Sequence, residues 1–99
     1  MNHEIIKSAI DCIRKYEQGS EEYRLGAYVL SHEMHKIHLT QLTHLVNHSP
    51  IRAVKIADES VAMDLLSWGL AVRICVEGSN EYIAATRAGY DVMKMLEDR

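Results

Sequence analysis

The chain predicts a mainly α-helical fold with a small β-hairpin. Three observations carry that reading. Apolar residues recur at helical spacing through most of the first half. From His48 onward, residues that start, stop and turn elements follow one another in a legible order. Within that second half, a β-branched run at 70–76 is followed by a shorter run at 81–85 across a Gly-Ser-Asn turn.

Over residues 4–16, Ile5, Ile6, Ala9, Ile10, Ile13 and Tyr16 share one helical stripe, and Lys7, Asp11, Arg14 and Lys15 lie opposite. Gln18-Gly19-Ser20 stops this helix. Ser20 caps the next, which begins with Glu21 and Glu22, acids favoured by the positive end of a helix dipole. This second helix, over 21–36, carries Tyr23, Ala27, Leu30, Met34 and Ile37 on one side. Leu25, Tyr28 and Val29 make another side apolar as well. A helix with two apolar sides needs two neighbours. One is expected to be the C-terminal half of the chain. The other is the first helix or a second copy, so a homodimer through the N-terminal helices is expected. A break near 38–40 then separates a third helix, with Leu39, Leu42, Leu45 and Val46 in its stripe and Asn47-His48 at its end.

Ser49 is placed as an N-cap, with Pro50 as the first residue of a short helix to about Ile56. A proline lacks an N–H that would have no partner at that position. Asp58 caps a helix over 59–68, which turns Val61, Ala62, Leu65 and Trp68 inward and ends at Gly69 in a left-handed conformation. Residues 70–76 form a strand, Glu77-Gly78-Ser79-Asn80 a turn, and 81–85 the return strand. Thr86 opens a last helix in which Gly89, Val92, Met93 and Leu96 line up, with Arg87, Asp91 and Lys94 toward water.

Ninety-nine residues suit a single domain, 1–99, with N-terminal helices over 1–47 and a helix-and-hairpin part over 48–99. No apolar run approaches the ~18 residues of a membrane span. The first residues also lack the basic start, apolar stretch and cleavage site of a secretion signal. A cytoplasmic protein with no membrane partner is therefore expected. The net charge of −3 argues against a surface that attracts phosphates everywhere, while leaving room for a local basic patch. Cys12 and Cys75 are far apart and each lies in an apolar pattern, so buried thiols are expected in place of a disulfide. Five Met and five Tyr, with no Phe, suggest an adaptable core or contact surface.

Catalytic and metal motifs are weak. His32-x-x-His35-x-x-His38 would fan its rings over about a third of a helix circumference, too wide for easy convergence on one ion. His32 with His35, or His44 with His48, supplies two ligands at most, and His32-Glu33-Met34-His35 is one residue short of the metalloprotease spacing. Titration of several of the six histidines near pH 6 would bring the net charge close to zero. Neither cysteine has a basic neighbour marking a nucleophile, and the scattered glycines form no phosphate cradle. No enzyme, metal or cofactor is expected.

Two segments in the second half carry a resemblance, joined by a third after the hairpin. They are Ile51-Arg52-Ala53-Val54-Lys55-Ile56-Ala57, then Met63-Asp64-Leu65-Leu66-Ser67-Trp68-Gly69-Leu70-Ala71, then Tyr82-Ile83-Ala84-Ala85-Thr86-Arg87-Ala88-Gly89-Tyr90. With them, residues 48–96 resemble the winged-helix superfamily of transcriptional regulators. The resemblance implies a winged helix-turn-helix preceded by two or three N-terminal helices, with 59–68 as recognition helix and 77–80 as wing tip. The helix-turn-helix is about a turn shorter than common forms.

The outward arc of that recognition helix contains Glu59, Ser60, Met63, Asp64 and Ser67. It lacks the Arg, Lys, Asn or Gln that major-groove reading relies on. Arg52, Lys55, Arg73 and Arg87 lie nearby in sequence and could hold phosphates, which positions a protein without reading bases. Their plainest role is that of solvated surface charges. The resemblance implies a DNA-binding regulator using those four cations. The acidic arc implies the alternative, a protein-binding inhibitor or adaptor using Glu59, Met63, Asp64 and the wing.

Overall fold

The computed structural model describes residues 3–56, 58–76, 78 and 80–97. Among them are five α-helices and three short strands. In chain order these are α1 (His3–Lys15), α2 (Glu21–Glu33), α3 (Lys36–His48), β1 (Ile51–Arg52), a 3₁₀ turn (Ala53–Lys55), α4 (Glu59–Ser67), β2 (Ala71–Val76), β3 (Asn80–Ala85) and α5 (Arg87–Glu97). The fold is thus mainly helical, with a small antiparallel sheet. None of the described helices is long and apolar enough to cross a membrane.

α1 buries Ile6, Ala9, Ile10 and Ile13 against α2 and keeps Arg14 and Lys15 in its last turn, where cations suit the dipole. Its close approach to α2 depends on Gly26, where a Cβ would stand 2.8 Å from the carbonyl oxygen of Ala9. Ser20 Oγ accepts from the Tyr23 N–H at 3.2 Å, so the expected cap is formed. α2 ends three residues earlier than expected, at Glu33, and the break falls at Met34-His35 in place of 38–40. No glycine or proline marks it, and the N-cap residue of α3, His35, makes no side-chain capping bond. The early break resets the helical phase. Ile37 therefore leaves the α2 stripe and is exposed, while His38, Leu42 and Leu45 turn into the core.

The helix expected to open at Pro50 is not formed. The Ser49–Pro50 bond is cis, Ile51–Arg52 is a strand, and only one 3₁₀ turn follows. The reason is a competing use of Ser49. Its hydroxyl donates to the Leu45 carbonyl and accepts from the Ala85 N–H at 2.9 Å, tying the end of α3 to β3. With that oxygen committed, Ile51 pairs with Ile83 and Arg52 with Tyr82. Strand order is β1-β3-β2, with Val72 opposite Ala84, Ile74 opposite Tyr82 and Val76 opposite Asn80.

α4 begins as expected, with Asp58 Oδ1 accepting from the Val61 N–H at 3.2 Å. It ends at Gly69, whose φ of +78° suits glycine. Leu65, Leu70 and Val92 join Leu30, Leu42 and Leu45 as fully buried side chains in one core. α5 lies against Leu70 at Gly89, where a Cβ would meet the Leu70 oxygen at 2.4 Å. α4 is nine residues long and covers only the base of the hairpin, Ala71 and Ile83. Cys75, near the far end of β2, is consequently exposed, and Cys12 is half-buried on α1. Both thiols are free, so the expected burial of the pair is corrected. The expected turn residues Glu77 and Ser79, and Ala57, lie outside the described residues.

Candidate macromolecule-binding face

Val61, Ala62 and Leu65 anchor α4 in the core, and this phase turns Glu59, Ser60, Met63, Asp64 and Ser67 outward, as the sequence predicts. Met63 is 50% exposed. Beside it, the 3₁₀ turn holds up Val54 at 83% exposure, the most open of the large apolar side chains among the described residues. Between them runs a shallow groove floored by Ile56, Ala62, Leu66 and Ile83, with Glu59, Arg73 and Glu81 at its rim. The groove thus has an apolar centre edged by charges of both signs.

Two residues outside the outward arc also support this helix. His38, only 6% exposed, reaches from α3 to place Nε2 2.9 Å from Asp64 Oδ2, with its ring against Trp68 at 4.9 Å. With the proton on Nε2 the ring donates to Asp64, and the buried Nδ1 has no hydrogen-bond partner among the described residues. Asp64 is therefore tied back to α3, although half of it remains open to water. The spacing His38, Leu42, Leu45 carried the signal for this burial. The second support is Arg14 of α1, whose Nη2 donates to the Ser67 carbonyl at the C-terminal end of α4. There a cation meets the negative end of the helix dipole.

The four cations singled out by sequence do not form one edge. Arg73 lies on the α4 face, its Nη2 3.7 Å from Met63 Sδ. Arg52 pairs with Tyr82 and Arg73 with Ile83, adjacent residues of β3, so the two arginines project from opposite faces of the sheet. Arg52 donates to Asn80 Oδ1 at 3.2 Å on that other face. Lys55 borders a separate cleft beside Asp58, Ile37 and His44. Arg87 sits at the start of α5, 3.8 Å from Asp91. Asp91 in turn accepts from Tyr23 Oη at 2.6 Å.

Among the described residues, two ionisable groups are displaced from their ordinary values. The Val61 N–H, followed by the Ser60 hydroxyl, holds the Asp58 carboxyl below the usual range. Burial, reinforced by the hydrogen bond to Asp91, pushes the Tyr23 phenol up. The histidines make ring contacts in pairs, Tyr28 with His32, His35 with His38 and His44 with His48. Among the described residues no three His, Cys, Asp or Glu converge as a metal site. No protein-family model, curated protein or solved structure matches this chain.

Proposed function

We propose that this chain is a small, non-enzymatic winged-helix regulator that acts by contact with a protein, using α4, the 3₁₀ turn and the base of the hairpin. The order α3, β1, 3₁₀ turn, α4 and the β2–β3 hairpin supports a winged-helix arrangement, with α4 in the place of a recognition helix. The observation that carries the protein-binding reading is the groove between Val54 and Met63. Its exposed aliphatic walls, with Glu59 and Glu81 beside Arg73 at the rim, suit an apolar anchor flanked by charged groups. DNA binding is the second reading. It is favoured by one observation, the Arg73 guanidinium lying beside Met63 on the face that would enter a groove.

A photocrosslinking side chain at position 54, introduced in the native host, tests both. The first reading expects a discrete protein adduct that Met63→Glu abolishes without lowering the melting temperature. An adduct to nucleic acid, joined by salt-sensitive retention on duplex DNA that Arg73→Ala weakens, would replace it with the second.

A further inference from the structure

We propose that β2 pairs edge to edge with the β2 of a second copy, antiparallel and centred on Ile74, joining two three-stranded sheets into one of six strands. In the order β1-β3-β2, β2 is an edge strand, and among the described residues no strand lies beyond it. Edge strands are ordinarily blunted by shortness, lysines, prolines or bulges. This one is six residues long, pairs with β3 without interruption, contains neither Lys nor Pro, and bears one charge, Arg73.

Burial and charge select the register. Ala71 is buried and residues 72–76 are exposed, so the midpoint of the available edge is Ile74. A two-fold axis there pairs all five exposed residues. Centring on Arg73 instead would set two guanidinium groups face to face, which is destabilising across a strand pair. Val72, Ile74 and Val76 are 45, 42 and 48% exposed on the sheet face away from α4. In the proposed register Ile74 meets the partner's Ile74, in a row that continues into Tyr82 on both sides, and Val72 meets the partner's Val76, in a row that runs from Ala84 on one side to Asn80 on the other.

The opposite face supplies charge complementarity. There Arg73 stands across from the partner's Cys75, whose neighbour on the next strand is the partner's Glu81. A long guanidinium reaching over a small thiol approaches that carboxylate, and symmetry makes the contact twice. The uncovered side of α2, with Leu25 at 60% exposure and Tyr28 beside it, is the rival surface for a second copy. It has apolar area, yet as a helix it offers no open backbone edge. The pairing rests on strand order and exposure, which do not depend on the protein-binding reading of α4, although Arg73 and Glu81, which select its register, also stand at the rim of the α4 groove.

The test is sedimentation velocity on the full chain, with circular dichroism to confirm folding. The expected result is a dimer that Ile74→Lys converts to monomer while the spectrum is kept. Arg73→Glu should weaken the dimer, and Arg73→Glu with Glu81→Arg should restore it. In a Cys12→Ser, Cys75→Ser background, Ile74→Cys should form an interchain disulfide on mild oxidation. The wild-type Cys75 pair, offset diagonally by about 7–8 Å, should not. A monomeric wild type overturns the proposal. So does a dimer that survives Ile74→Lys and dissolves on Leu25→Glu, or crosslinking confined to wild-type Cys75.

Discussion

Tyr23→Phe isolates the hydrogen bond that joins the N-terminal helices to α5. Tyr23 is buried, its hydroxyl donates to Asp91 at 2.6 Å, and the aromatic ring remains in the variant, so no cavity is created. A hydrogen bond to a charged group contributes about 1.5–3 kcal/mol. Asp91 is still partly open to water and keeps Arg87 at 3.8 Å, which places the expected loss near the lower end, about 1–2 kcal/mol. For a chain of this size that is a fall of roughly 5–15 °C in melting temperature. The pH dependence carries the more specific signature. The folded state holds the phenol above its usual value of 10.0. Its contribution is therefore fully present below pH 10 and is lost as pH rises further, because the unfolded chain releases the proton first. Urea titrations of both proteins should show the advantage of Tyr23 shrinking progressively as pH rises above 10. An advantage that stays constant into alkaline solution, or a difference below about 0.3 kcal/mol at pH 7, would refute a buried phenol bonded to Asp91.

Leu65→Ala, at a fully buried position of α4, should cost about 2–5 kcal/mol in denaturant unfolding, and a loss below about 1 kcal/mol would mean the helix is misphased. Gly89→Ala drives a methyl group into the Leu70 carbonyl, so a loss of about 1–3 kcal/mol or more is expected by calorimetry, against the gain that helix propensity alone would give. Asp64→Ala leaves the buried His38 ring without its partner and should cost about 1–3 kcal/mol, whereas Ser67→Ala on the same outward arc should change stability by less than about 0.5 kcal/mol. Equal effects of the two would show that His38 is solvated.

Local patterns carried most of the helices. The stripe Ile6, Ala9, Ile10, Ile13 sets the face of α1, and the start signals at Ser20 and Asp58 and the stop signal at Gly69 sit where the chain uses them. These residues act on backbone groups within a turn of themselves, so their meaning survives without knowledge of the fold. The outward arc of α4 was legible for the same reason, since 3.6-residue periodicity alone places Met63 opposite Leu65.

Tertiary structure decided what depends on residues distant in the chain. Ser49 has the chemistry of an N-cap, yet the Ala85 N–H, 36 residues away, claims its oxygen and turns the expected helix into a strand. His38 became a core residue because Asp64 and Trp68 meet it from α4. Arg52 and Arg73 were separated because their partners on β3 are adjacent, and adjacent strand residues face opposite ways. A side chain's local geometry follows from its neighbours in sequence, whereas its electrostatic and hydrogen-bonding partner follows from which distant backbone the core brings alongside.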